Sequence, residues 1–168
     1  MILWFLSFAI GATGPADSLG PFTLGSPLPL DSRGGHMTDQ GYRLGDLGGI
    51  IYAHTCNGLI DSLKLDIDLD QEIEMYQCCA EDLSTAVRCS KNLDPKAQVT
   101  FDLIVENYRF LGWDATPMDG GYKIQYMDAT RILRRTAKMR YVSQTGHYCP
   151  DNHIIMYLGP YTPCLEGY

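Results

Sequence analysis

His54, His147 and Arg140, with Glu72 or Glu74, are the residue types that a small secreted ribonuclease needs. A histidine and a carboxylate would move protons, and an arginine would stabilise charge on a phosphate. His36 falls in a Gly/Pro-rich stretch, whereas His54, His147 and His153 lie in or beside expected strands. Nothing in the spacing of these residues requires them to converge, and a single histidine on a strand is commonly structural. The nucleophile elbow, the P-loop, the Rossmann glycine pattern and His-Glu-x-x-His are all missing from the sequence. The reading therefore leans away from an enzyme, and no cofactor is expected.

Two metal chemistries come to mind and both fail on spacing. His147-Tyr-Cys149 and Cys149-Pro-Asp-Asn-His153 place soft ligands close together, but no paired Cys-x₂₋₄-Cys spacing accompanies them. Asp66-x-Asp68-x-Asp70 opens like a calcium loop, yet Gln71 stands where the loop needs glycine and Gln77 where it needs glutamate. Asp66, Asp68, Asp70, Glu72 and Glu74 instead fit the solvated or cation-paired face of one long strand. No metal is expected.

A second charged set could bind an anion. Arg131, Arg134, Arg135 and Lys138 follow helical spacing in a segment framed by Asp128 as N-cap and ending near Arg140. On a helix they would form one basic stripe, suited to a phosphate, an acidic glycan or another anionic partner. The net charge of −7 argues against general nucleic-acid binding by the chain as a whole. Nucleic acid enters only through the ribonuclease reading.

These groups must be positioned by a chain that reads as exported. Cys56, Cys78, Cys79, Cys89, Cys149 and Cys164 are even in number, and an apolar run Ile2–Ile10 precedes small residues at Gly11, Ala12 and Gly14. That combination implies a signal peptide over 1–14, an oxidising compartment and an extracellular, disulfide-stapled product. Adjacent Cys78 and Cys79 are poorly placed to bridge each other. The expected framework is Cys149–Cys164, Cys56 with Cys78 or Cys79, and Cys89 with the remaining one. No apolar run approaches the length of a membrane span.

Residues 11–50 hold 10 of the 17 glycines and 4 of the 9 prolines, so 15–48 reads as a flexible or pro-segment and 49–168 as the folded domain. Ile50–Thr55 reads as a strand with a turn at Asn57-Gly58, followed by alternation of Leu63, Leu65, Ile67 and Leu69 with charged residues. The acidic strand, or its hairpin partner after Asp70-Gln71, is expected to run on to Gln77. Short helices are expected over 80–90, over 95–111 with Asp94 as N-cap, Pro95 first and Gly112 at its end, and over 128–140. Further strands follow at Tyr122–Tyr126, Tyr141–Ser143 and His153–Tyr157. The fold class is α+β: one small disulfide-stabilised domain, mainly antiparallel sheet with two or three short helices. The function this implies is a secreted, small cysteine-containing binding protein, effector-like or toxin-like, acting on an extracellular or host partner. The alternatives are a secreted hydrolase of ribonuclease type and an extracellular carrier or structural protein with a tyrosine-lined pocket.

Overall fold

The computed structural model describes residues 17–29, 42–44 and 49–159, with only the backbone at 42–44, 71 and 72. The expected leader over 1–14 lies outside these residues, as does Cys164. Seven antiparallel strands form one sheet: β3 (Tyr42–Leu44), β4 (Gly49–Cys56), β5 (Leu59–Asp68), β6 (Asp114–Met118), β7 (Gly121–Tyr126), β8 (Ala129–Val142) and β9 (His147–Leu158). Their order is β3-β4-β5-β9-β8-β7-β6. A two-stranded hairpin, β1 (Ser18–Leu19) and β2 (Phe22–Thr23), stands apart from the sheet.

The strongest local signals of the sequence set the first half. Asn57 and Gly58 both take left-handed backbone, at φ 52° and 79°, which lets a two-residue turn follow the twist of β4 and β5. Leu63, Leu65 and Ile67 then point inward while Lys64, Asp66 and Asp68 point outward. Strand β5 ends at Asp68, whose carboxylate accepts from the Asp70 backbone N–H and caps one helical turn, Leu69–Glu72. A 3-10 turn, Met75–Cys78, comes next. The long acidic strand expected through Gln77 is therefore broken, because Leu69, Ile73 and Met75 find buried positions only when the chain bends into the core.

Among the described residues there is one long helix, α1 (Leu83–Phe110), rather than two or three short ones. Asp82 is its N-cap: the carboxylate accepts from the Thr85 backbone N–H at 2.8 Å, from Ser84 Oγ at 2.6 Å and from Thr85 Oγ1 at 2.9 Å. Those bonds hold the Asp82 carboxyl down at about 2. Ala86, Ala97, Phe101, Ile104, Val105 and Tyr108 make a buried stripe at helical spacing along its 28 residues. Asp94-Pro95 does not start a helix. Pro95 is exposed inside α1, where the missing N–H removes only the bond to the Lys91 carbonyl. The helix stops at Gly112, which takes φ 86°.

The helix expected over 128–140 is the strand β8, bonded to β7 on one side and to β9 on the other. Its inward positions are Arg131, Leu133 and Arg135, in register with Leu158, Met156 and Ile154 of β9. Two arginines on the core face hide the apolar alternation that marks a strand, while Ile132, Leu133, Thr136 and Met139 imitate a helical stripe.

Helix α1, the Met75 turn and the β1–β2 hairpin cover one face of the sheet. Leu19 and Phe22 of that hairpin belong to the core, so residues 17–29 of the stretch expected to be flexible are packed. The Ile60 N–H donates to Ser26 O at 2.8 Å, and the Gly25 N–H donates to Ile60 O at 2.7 Å, which fixes the hairpin at the start of β5. Arg131, with 0% exposure, lies over the Trp113 ring at 4.6 Å. It donates to Tyr108 Oη at 2.8 Å and to Ser18 O at 3.2 Å. Burial pushes the Tyr108 hydroxyl up to about 12, although the Arg131 charge pulls the other way.

Two bridges close the far end: Cys78–Cys89 ties the 3-10 turn to α1, and Cys79–Cys149 ties it to β9. Cys149 therefore pairs with Cys79, not Cys164. The chain after Cys78 takes up the edge of β9 that β5 leaves, through the Ala80–Tyr148 bridge, and this sets Cys79 opposite Cys149. Cys56 is also disulfide-bonded, and neither Cys78 nor Cys79 is its partner.

In the chain-entropy account, the Cys79–Cys149 bridge, with a sequence separation of 70, contributes about 4 kcal/mol, and Cys78–Cys89, with 11, about 3 kcal/mol. Replacing each pair by alanine should therefore lower the urea midpoint more for Cys79/Cys149; the reverse order would contradict this. A Cβ at Gly121 would meet the Leu133 carbonyl oxygen at 2.0 Å, a backbone atom that cannot give way cheaply. Gly121→Ala should cost about 2 kcal/mol or more in a thermal melt, and a wild-type transition would refute this.

Candidate functional site

With the inner face covered, chemistry falls to the outer face of the sheet, on which no described element packs. Strict alternation decides which residues reach it: Tyr52 and His54 from β4, Lys64 and Asp66 from β5, His153, Ile155 and Tyr157 from β9. Strand β8 adds Ile132, Arg134, Thr136, Lys138 and Arg140.

A chain of ion pairs runs across β5 and β9. Lys64 Nζ lies 3.0 Å from Asp66 Oδ2, and His153 Nδ1 lies 2.6 Å from Asp66 Oδ1. His153 Nε2 lies 3.2 Å from Asp151 Oδ1. The register sets Asp68 opposite His153, which leaves Asp66 on the diagonal within reach of the ring. Burial alone would lower the His153 value, but its two carboxylates outweigh that and raise it above 6.5. A carboxylate at each ring nitrogen favours the charged form of the imidazole. The Lys64 ammonium is likewise raised: burial opposes its charge, and Asp66 more than offsets that.

His54 makes a separate pair at one end of the sheet, with Nδ1 2.7 Å from Asp61 Oδ1. Ser62 Oγ donates to the same carboxylate oxygen at 3.3 Å, so the serine is bonded to the aspartate rather than to the imidazole. Tyr52, His54, Ser62, Lys64 and Tyr157 border a cleft of about 260 Å³ here. A larger cavity of about 610 Å³ lies between the hairpin and the β7–β8 turn. Its walls are Leu24, Tyr126, Met127, Ala129 and Leu158, with Asp17 and Asp128 also lining it, so tyrosines do not dominate it.

The proposed ribonuclease residues do not come together. His54 is opposite Ser62, next to the Leu63–Leu158 pair, whereas His147 begins β9 opposite Val142. Leu158 and His147 are eleven residue steps apart on β9, roughly 36 Å along the strand. Arg140 is opposite Cys149 and so shares the His147 end. Glu72 ends the helical turn after β5, and its side chain lies outside the described residues; Glu74 is exposed beside Gln77.

The basic stripe is divided by the same alternation. Arg131 and Arg135 face inward, Arg131 onto Trp113 and Arg135 into a salt bridge with Asp94 and a 3.2 Å bond to Gln98 Oε1. Arg134 and Lys138 face outward, on the same side as Arg140. The Arg134-Arg135 dibasic pair sits mid-strand between β7 and β9. Asp70 belongs to neither set: burial raises its carboxyl above the ordinary value, only partly opposed by bonds from Asn152 at 3.0 and 3.3 Å. Among the described residues, no group of three or more His, Cys, Asp or Glu side chains could hold a metal ion. Nor does any helix there have the length and apolarity to cross a membrane.

His153 was hidden in the sequence because its partners lie on two strands and Asp66 is 87 residues away. Only the local Asp151-x-His153 spacing hinted at it. Because its folded value lies above its ordinary 6.5, the clamp contributes fully below that pH and is lost as pH rises through the raised value. The melting temperature should fall by about 2–4 °C between about pH 6 and pH 8.5, and His153→Gln should flatten that slope. Parallel pH profiles for the two proteins would contradict the assignment.

No family model matches the chain, and no curated protein or solved structure shows a significant match to it.

Proposed function

We propose that the chain is a secreted, disulfide-stapled binding protein, effector-like or toxin-like, that engages an extracellular or host partner through the outer face of its sheet. The observation that carries this reading is the uneven covering of the sheet. Helix α1 and the hairpin pack on one face, while the other presents Tyr52, Ile155, Tyr157 and Ile132 among charged side chains. Aromatic and aliphatic groups ringed by polar ones are the composition of a protein–partner contact. The bridges fit an oxidising compartment.

One observation favours a second reading. The His54–Asp61 pair borders the 260 Å³ cleft together with Lys64, so a carboxylate-oriented imidazole and a cation share one opening. A hydrolase of ribonuclease type would use His54 there in place of the dispersed set.

The two readings separate in one experiment. The purified chain is assayed on single-stranded RNA beside His54→Ala, and its fluorescent form is bound to target-cell surfaces beside Tyr157→Asp and Val99→Asp. Binding through the sheet predicts no turnover, at least a tenfold loss of surface binding with Tyr157→Asp, and no change with Val99→Asp on the exposed side of α1. Turnover that falls a hundredfold or more in His54→Ala would establish the hydrolase instead.

A further inference from the structure

The outer face separates its charges. Arg134, Lys138 and Arg140 are on the outer side of β8, and Lys123 of β7 stands opposite Ile132, one diagonal step from Arg134. All four are exposed, and none has an ion-pair or hydrogen-bond partner among the described residues. The inward arginines of the same strand are both engaged, Arg131 with Tyr108 and Arg135 with Asp94. On the β5 side of the same face, Asp66 is bonded to Lys64 and His153, and Asp68 is bonded to the Asp70 backbone. A chain of net charge −7 thus gathers four unengaged cations in one place and satisfies the rest of its outer charges internally.

Their geometry selects the partner. From Arg134 to Arg140 the strand advances six residues, so the cations form a straight row of roughly 20 Å, with gaps of about 13 and 7 Å. Asp151, which is opposite Lys138, is turned to His153. The β9 positions opposite Lys138 and Arg140 are Asp151 and Cys149, so neither faces an aromatic ring across that strand pair. Tyr157 lies diagonal to Arg134, but no further aromatic ring follows along the row at Lys138 or Arg140, so it lacks the succession of rings on which the bases of single-stranded nucleic acid stack. A sheet face in mid-strand also offers no amphipathic helix to lay into a bilayer. A linear chain with repeating negative groups and no bases meets both conditions.

We propose that Arg134, Lys138, Arg140 and Lys123 form a docking row for a sulfated linear glycan, the partner class of the binding face described above. This rests on the outer-face reading and adds the chemistry of what is bound.

Heparin is the probe. Wild-type protein should be retained on heparin resin beyond about 0.15 M salt, with a logarithmic salt slope near 3 for four neutralised charges. Arg134→Glu/Lys138→Glu should weaken binding at least tenfold, whereas Lys91→Glu/Lys96→Glu, on α1, should change it less than twofold. Should the glutamate pair misfold by melting temperature, Arg134→Gln/Lys138→Gln is measured instead, with a smaller loss of about threefold or more. The proposal is overturned by elution of the wild type below about 0.15 M salt, or by equal losses in the two charge-reversal pairs. Tighter binding to phosphatidylserine vesicles or to poly(U) RNA than to heparin overturns it as well. Loss of cell-surface binding in Tyr157→Asp with no heparin retention would remove the glycan and leave the outer-face reading standing.

Discussion

The guanidinium of Arg131 is the point on which three parts of the molecule meet. It comes from the middle of the sheet, lies over Trp113 just past the end of α1, donates to Tyr108 within α1 and reaches the Ser18 carbonyl of the hairpin. A charge with 0% exposure is costly unless its donors are directed and its planar faces are covered, and here aromatic rings do the covering. Tyr108 passes the connection on, donating to Met156 on β9 at 3.4 Å. The hairpin therefore belongs to the core through a polar contact as well as through Leu19 and Phe22. A methionine or leucine at 131 could fill the volume but could not specify where the hairpin sits.

The opposite end of the layer pair is joined differently. Adjacent cysteines send one bridge to α1 and one to β9, so a single dipeptide fastens helix and sheet together. Between these two anchorages the contacts are ordinary packing, supplemented by the Arg135–Asp94 pair. The Arg131 anchorage acts on the inner layer, whereas Cys149 leaves β9 on the side of Arg140, at the far end of the outer face. The His153 clamp crosses the β5–β9 boundary, where strands far apart in sequence meet.

Legibility followed the range of the interaction. The Asn57-Gly58 turn, the alternation of β5 and the helix stop at Gly112 are written within a few residues, and all could be read directly. Asp94-Pro95 also looked like a local signal, but Asp82 offers the capping carboxylate earlier and the helix simply continues through Pro95. Strand β8 carries a helical pattern in its sequence because the core asks two of its inward residues to be arginine, an instruction that comes from Trp113, Tyr108 and Asp94 rather than from its neighbours in sequence. The site suffered most. Whether Arg134 and Arg135 stand together depends on whether the period is 3.6 or 2, and that one distinction turned a four-residue stripe into two unrelated pairs. Cysteine pairing was equally non-local, since Cys79 meets Cys149 only after β5 gives up its place beside β9.

The margins of the sheet bear on how the molecule avoids its own kind. An outermost strand with unused backbone groups invites another chain to extend the sheet, the first step toward fibrous aggregates. Here one margin, β6, carries Asp114 and Pro117, and proline has no N–H to offer an incoming strand. The other described margin, β3, is only three residues long. Neither described edge is a good template, so growth strand by strand is discouraged even at high local concentration.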